Sequence, residues 1–161
     1  MRTAICPGSF DPITLGHLNI IRRVSRIFDR VVVLIAVNSG KTQPMFTIEE
    51  RVDMVRRACE RYPNVTVDSS DTLLAEYVKR YENPVLVKGL RAASDFEYEF
   101  QIDAVNRHLD SSLRTVYFMA SPGHSFLSSS NVKEIGFWGG SITGLVPSIN
   151  EEIIRERLAK K

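Results

Sequence analysis

Short apolar runs recur along the chain, and a segment with the apolar spacing of a helix follows each of them. The runs are residues 3–6, 31–37, 65–68, 85–88 and 115–119. They are rich in β-branched residues, and most are apolar at odd and even positions alike. Strands covered on both faces have this composition, so the runs predict buried strands of a parallel sheet.

Helix signals fill the intervals between these strands. Three segments have the form of a capping box, with Glu three positions after Ser or Thr: residues 47–50, 94–97 and 148–151. The first is expected to open a helix that runs to about Arg61. Residues 18–24 and 73–81 also have helical spacing, and Gly139-Gly140 has the form of a helix stop.

The helix predicted after residue 94 carries two separate patterns. Phe96, Phe100 and Ala104 follow one another at four-residue spacing, and we assign the two Phe side chains to the core. Glu99 and Asn106 lie seven positions apart and therefore share one face. They are able to reach a ribose or an amine from a neighbouring loop, and a solvated helix face is the alternative.

The alternation of strands and helices predicts an α/β fold. We expect an open, five-stranded parallel sheet, doubly wound and Rossmann-like, with helices on both faces. The pattern contains no internal repeat or linker, so a single domain over residues 1–161 is expected. Ligands of such sheets bind at the carboxyl ends of the strands, which selects these loops: 7–16, 38–46, 69–72, 88–94 and 120–129.

The first of these loops combines a shaped backbone with polar groups. Thr14, Gly16 and His17 lie where the loop enters the first helix. A helix start exposes unpaired N–H groups and the positive end of the helix dipole, and both favour a phosphate. The alternative is an ordinary Thr cap beside a surface histidine.

Cations and hydroxyls occupy three of the other loops. Lys41 follows the second strand, but its Gly40-Lys41-Thr42 sequence is not a P-loop, because Ile35 stands where that motif needs Gly. Lys88 and Arg91 flank the end of the fourth strand and suit phosphate oxygens. The hydroxyls of Ser128, Ser129 and Ser130 stand at a predicted helix start, where they favour an anion.

Composition narrows the class of protein. Lys and Arg number 21 against 19 Asp and Glu, a net charge of +2, which argues against a dedicated nucleic-acid-binding protein. Residues 31–37 are the longest apolar run and are too short to span a bilayer. Met1 is followed almost at once by a predicted strand, so we expect no signal peptide. Cys6 and Cys59 form no CxxC motif, so we expect neither a disulfide nor a zinc site. Cysteines of this kind suit a reducing compartment, and we therefore expect a cytoplasmic location.

The candidate residues contain no evident nucleophile–base pair, and no HExxH, GxSxG or GxGxxG motif is present. A site of this kind binds phosphates and disperses their charge. Phosphoryl or nucleotidyl transfer needs little more than in-line positioning and electrostatic stabilisation, so it is the predicted chemistry.

The motifs together resemble a known family. Residues 7–12, followed by Thr14-Leu15-Gly16-His17, resemble the T/HxGH signature of the nucleotidylyltransferase superfamily. Further motifs make the chain similar to bacterial phosphopantetheine adenylyltransferases over about residues 3–155: residues 45–51, 88–91, 95–99 and 128–134.

This resemblance implies transfer of the adenylyl group of ATP to 4′-phosphopantetheine, giving dephospho-CoA and pyrophosphate, with Mg²⁺ accompanying the triphosphate. It implies that His17 and Arg91 stabilise the transition state and that Lys41 orients the attacking phosphate. Ser9, Lys41, Leu74 and Lys88 are implied for acceptor binding. The ATP-binding positions implied are Ser9, Phe10, His17, Gly89, Leu90, Arg91, Glu99, His124, Ser125, Phe126, Leu127, Ser128, Ser129 and Ser130. The resemblance also implies a homohexamer and inhibition by CoA.

Three positions depart from the family pattern, one of them Asn131, which follows the serines where Leu is common. Lys88 stands where many members have Arg, which replaces a bidentate grip on phosphate by a point contact. His124 stands where an aromatic residue is common near the adenine. Two other functions stay open: transfer to another acceptor, such as nicotinamide mononucleotide or a sugar or glycerol phosphate, and a nucleotide-sensing module without turnover.

Overall fold

The computed structural model describes residues 1–37 and 43–160. Within this part of the chain, five parallel strands form one sheet in the order β3-β2-β1-β4-β5. The strands are β1 Thr3–Gly8, β2 Arg30–Ala36, β3 Val65–Ser70, β4 Val85–Leu90 and β5 Arg114–Met119. Each predicted strand is confirmed, and most extend a residue or two beyond the apolar run because parallel pairing continues past it.

Helices connect the strands and cover the sheet. They are α1 Leu15–Val24, α2 Ile48–Cys59, α3 Leu74–Tyr77, α4 Ala93–Leu109, α5 Ser129–Phe137 and α6 Glu151–Ala159. The helix predicted over residues 73–81 is one turn of α-helix continued by a 3₁₀ turn, Val78–Arg80. Within the described ranges, no helix is long and apolar enough to cross a membrane.

One of the three predicted capping boxes is confirmed. The Thr47 side chain accepts from the Glu50 N–H, and the Glu50 carboxylate accepts from the Thr47 N–H. The box predicted at residues 94–97 is wrong: α4 begins at Ala93, so Ser94 lies inside the first turn instead of at the cap position, and no described side chain caps this helix.

The box predicted at residues 148–151 is also wrong. Ser148–Asn150 form a 3₁₀ turn without a side-chain cap, and α6 begins at Glu151. The Glu151 carboxylate accepts instead from Thr143 Oγ1, at 2.6 Å, and from Arg155. Ser148 lies inside the 3₁₀ turn and not at a cap position, which explains the difference.

The helix stop predicted at Gly139-Gly140 is confirmed. Gly139 has φ +79°, and its N–H bonds the Gly136 carbonyl, while the Gly140 N–H bonds the Ile135 carbonyl. This pair of hydrogen bonds is a Schellman motif, which needs a left-handed residue directly after the helix cap.

The sheet has helices on both faces, as predicted. Val33 and Ile35 of β2 pack with α1, α2, α5 and α6 in the larger core cluster. Val32 and Leu34, which point to the opposite face, pack with α3 and with Leu86 of β4. Different helices therefore cover the two faces of the sheet, and the loops that lead into these helices lie at the carboxyl edge.

Phe96 and Phe100 contradict the prediction that they pack in the core. Their rings do contact each other, with centroids 6.0 Å apart, but the residues are 47% and 62% exposed. The four-residue spacing thus places the rings on one side of α4. The Phe96 ring also contacts that of Tyr117 on β5, with centroids 6.1 Å apart, but this contact leaves both Phe residues exposed. Spacing alone does not specify which face of a helix is covered.

Candidate active site

The loop between β1 and α1 holds His17 by a reciprocal cap. The Thr14 N–H donates to His17 Nδ1 at 3.0 Å, and the His17 N–H donates to Thr14 Oγ1 at 3.3 Å. Thr14 Oγ1 also lies 3.1 Å from Nδ1. Thr14 is thus a helix cap, as the alternative interpretation of this loop predicted. His17 belongs to the same cap and is not the free surface histidine of that interpretation.

These contacts fix the protonation state of His17. A backbone N–H only donates, so Nδ1 is unprotonated and the proton of the neutral ring is on Nε2. Burial, together with the charge of Arg91, lowers the pKa of His17 to about 4. The imidazole is therefore neutral near pH 7 and offers Nε2–H as a hydrogen-bond donor.

Arg91 lies beside the same loop. Its Nη1 is 3.4 Å from the Leu127 carbonyl oxygen, and a Cβ built on Gly16 would lie 3.5 Å from that same oxygen. Asp95 accepts from the Arg91 N–H at 3.0 Å and pairs with its guanidinium. Arg91 and the His17 helix start therefore meet at Leu127, as the prediction of a shared edge requires.

The segment before α5 completes this edge. The Ser128 side chain caps α5 by accepting from the Asn131 N–H at 3.1 Å, and Ser129 Oγ donates to the Pro12 carbonyl at 2.8 Å. Two of the three predicted hydroxyls are thus engaged within the protein, and Ser130 is exposed. The α5 start is tied directly to the β1–α1 loop, and its positive dipole end lies at the predicted anion site.

Other predicted ATP positions differ in exposure. Phe10 is buried, with its ring centroid 5.0 Å from that of His17, so its side chain supports the histidine. Leu127 is also buried, whereas Ser125 and Phe126 are exposed. His124 ends a 3₁₀ turn, Pro122–His124, and its Nδ1 is buried without a hydrogen-bond partner among residues 1–37 and 43–160.

Lys88, near the carboxyl end of β4, forms an ion pair with Glu99 of α4. Lys88 Nζ lies 2.8 Å from Glu99 Oε2, and the side chains are 17% and 19% exposed. Lys88 points to the same sheet face as Leu86, whose cluster includes Leu74 at the start of α3. Glu99 and Asn106 both face inward, so the solvated-face alternative for this side of α4 is wrong.

Sequence reasoning gave no role to the residues that brace the β1–α1 loop. Asp11 accepts from the N–H groups of Met45 and Phe46, both at 2.9 Å, and from Lys133 Nζ at 2.7 Å. Burial favours a raised pKa for Asp11, but Lys133 and the two N–H groups outweigh it, and the pKa is lowered. Arg51, which is also buried, donates to the Ser9 carbonyl at 2.8 Å.

No spacing rule pairs Asp11 with Lys133, because the two residues are 122 positions apart. The predicted role of Lys41 lies outside the described residues. Among those that are described, no group of three or more His, Cys, Asp or Glu is arranged to hold a metal ion. The edge thus presents cations, N–H groups and one neutral imidazole, a set of groups suited to phosphate oxygens.

Comparison with known proteins identifies relatives in fold and in sequence. The chain resembles in fold a putative nicotinate-nucleotide adenylyltransferase from Vibrio parahaemolyticus, with a TM-score of 0.73 and 18% identity. The superposition covers 99% of this chain and 96% of that one. The sequence pattern of the Cytidylyltransferase-like family matches residues 5–135. The chain therefore belongs to the Cytidylyltransferase-like family, within the nucleotidylyltransferase superfamily.

Proposed function

We propose that this protein is a phosphopantetheine adenylyltransferase, which transfers the adenylyl group of ATP to 4′-phosphopantetheine. Membership of the family supports nucleotidylyl transfer in general. The observation that carries the proposed chemistry is the capped imidazole of His17, which donates through Nε2 beside Arg91. The choice of acceptor rests on the sequence motifs that resemble phosphopantetheine adenylyltransferases.

In the proposed reaction, a phosphate oxygen of phosphopantetheine attacks the α-phosphorus of ATP in line. A bond forms between that oxygen and the α-phosphorus, the bond to the β-phosphate oxygen breaks, and pyrophosphate leaves with its electron pair. His17 Nε2–H and the Arg91 guanidinium donate to the α-phosphate oxygens, where negative charge accumulates. His17 does not act as a general base, since Nδ1 is already an acceptor for Thr14.

The nucleotide is proposed to lie along the Arg91 loop and the α5 start, and the acceptor phosphate near Lys88 and Leu74. Lys41 is proposed to orient the acceptor phosphate, as the motif resemblance implies. Mg²⁺ enters with ATP as part of the substrate. The described residues contain no cluster able to cage the ion, so nucleotide oxygens and water are expected to supply its ligands.

The remaining expectations belong to the same proposal. Dephospho-CoA and CoA are expected to bind as product and feedback ligands, and the location is expected to be the cytoplasm. A homohexamer is also proposed. Exposed apolar side chains on α4 and β5 supply surface for contacts between copies: Phe100, Val105, Val116 and Met119.

Pyrophosphate release with a panel of acceptors tests the proposal. We expect turnover with ATP and phosphopantetheine to exceed turnover with nicotinate mononucleotide, nicotinamide mononucleotide or glycerol phosphate by at least about a hundredfold in kcat/KM. Preference for a mononucleotide would replace the proposed acceptor but keep the chemistry. ATP binding without turnover on any acceptor would favour a nucleotide sensor.

A further inference from the structure

The ion pair between Lys88 and Glu99 joins two residues that the sequence motifs assign to different substrates. Lys88 is implied for the acceptor phosphate and Glu99 for ATP, yet their charged atoms lie 2.8 Å apart. Glu99 Oε2 is buried and accepts no hydrogen bond of good geometry within the described ranges, so its contact with Lys88 is an ion pair rather than a hydrogen bond. Lys88 is the one cation that forms an ion pair with Glu99 in that part of the chain.

We propose that Glu99 is a specificity-determining residue of the acceptor-phosphate subsite, where it competes with the incoming phosphate for the Lys88 ammonium. This inference rests on the proposed function for the identity of the acceptor. It extends that function by giving Glu99 a role that is independent of ATP.

The burial and the charges of this pair favour competition between Glu99 and the phosphate for Lys88, rather than a role in which Glu99 only holds Lys88 in position. An ammonium in a partly buried site needs a counter-ion, and Glu99 supplies one while the subsite is empty. A phosphate that reaches Lys88 also comes close to the Glu99 carboxylate, and like charges at such distances repel. The attraction to Lys88 and the repulsion by Glu99 both grow with the charge of the ligand, so charge number alone does not select the ligand. A phosphate monoester presents three non-bridging oxygens, one more than a diester, and displaces the carboxylate from the ammonium more readily, so the pair favours a terminal phosphate.

Because residue 88 is Lys rather than Arg, the carboxylate and the phosphate compete directly for its ammonium. A guanidinium has five N–H donors in a planar fork and is able to hold a carboxylate and a phosphate together. The Lys88 ammonium is a compact point charge, which binds two anions at once less well. Neutralising Glu99 is therefore expected to strengthen anion binding at Lys88.

Calorimetry without ATP tests this inference, because any contact of Glu99 with the nucleotide is then absent. Wild type, Glu99→Gln, Lys88→Met and the double variant are titrated with phosphopantetheine and, separately, with inorganic phosphate. Glu97→Gln on the exposed side of α4 is the matched control. Circular dichroism checks folding, and Glu99→Ser replaces Glu99→Gln if the latter does not fold.

We expect Glu99→Gln to bind both ligands about fivefold or more tightly than wild type, and Glu97→Gln to match wild type. In the Lys88→Met background the gain should vanish. Unchanged or weaker binding by Glu99→Gln, or the same gain without Lys88, would overturn the inference. If wild type binds no phosphopantetheine while the phosphate titrations follow the expected pattern, the proposed acceptor fails and the role of Glu99 stands.

Discussion

The Thr14 N–H donates to His17 Nδ1 at 3.0 Å, and this contact determines the proton that the imidazole carries. Because Nδ1 accepts, the ring has its proton on Nε2. Burial and the charge of Arg91 lower the pKa of His17 to about 4, so the ring is neutral near pH 7 and carries only the Nε2 proton. A neutral donor held by its own helix cap needs no rearrangement to stabilise charge on a phosphate oxygen.

Replacement of His17 tests this role. We expect His17→Ala to lower kcat by about a hundredfold or more, the usual loss when one preorganised donor to a transition state is removed. ATP affinity should fall much less. His108→Ala, on an exposed part of α4, is the matched control and should retain wild-type turnover. Wild-type turnover by a folded His17→Ala protein would remove His17 from the mechanism.

The charge of Arg91 sets part of the His17 pKa. Replacing Arg91 by Ala removes a repulsive neighbour of the imidazolium, so the pKa of His17 should rise from about 4 towards its usual value. The shift is measurable by following the His17 ring protons by NMR as a function of pH. Arg57→Ala, at an exposed position on α2, should leave the His17 titration unchanged. An unchanged titration in Arg91→Ala would contradict the electrostatic contact between these two residues.

The lowered His17 pKa also affects stability. Above pH 6.5 the imidazole is neutral in both folded and unfolded chains and contributes no pH dependence. Between about pH 6.5 and about pH 4, the unfolded chain takes up a proton that the folded chain does not, so stability falls as the pH falls. His17→Asn should lose this component in urea unfolding over that interval. A wild-type slope retained by His17→Asn would assign the effect to other groups.

The Asp11–Lys133 pair is expected to stabilise the site scaffold. Asp11→Asn leaves the Lys133 ammonium without its counter-ion and weakens the bonds from Met45 and Phe46. The free energy of unfolding should fall by about 2–3 kcal/mol, below the cost for a fully buried pair because Lys133 is 33% exposed. Asp53→Asn, which breaks the exposed pair with Arg57, should cost about 0.5 kcal/mol or less. Equal losses in the two variants would show that the Asp11 network stabilises the fold no more than an exposed ion pair does.

Most of the fold follows from local pattern. Apolar runs with β-branched residues predict strands because parallel strands are covered on both faces, and the alternation with helices predicts the sheet. The two wrong capping boxes have one cause. Ser94 and Ser148 each lie inside the first helical turn rather than at the residue before it, and a four-residue motif does not specify the residue at which the turn begins.

The site was predictable as a set of loops but not as a network. The rule that ligands bind at the carboxyl edge of a parallel sheet is enough to bring His17 and Arg91 together. The brace between Asp11 and Lys133 and the pair between Lys88 and Glu99 each join separate elements. Such contacts depend on how helices pack against the sheet, which spacing along the chain does not encode.

Identification of the product tests the central claim most directly. Wild-type protein is incubated with MgATP labelled at the α-phosphorus and with 4′-phosphopantetheine, and the products are resolved by mass spectrometry. We predict that the label appears in dephospho-CoA, with one pyrophosphate released for each molecule formed. Label recovered only in ATP, with no labelled dephospho-CoA, would contradict the proposed function.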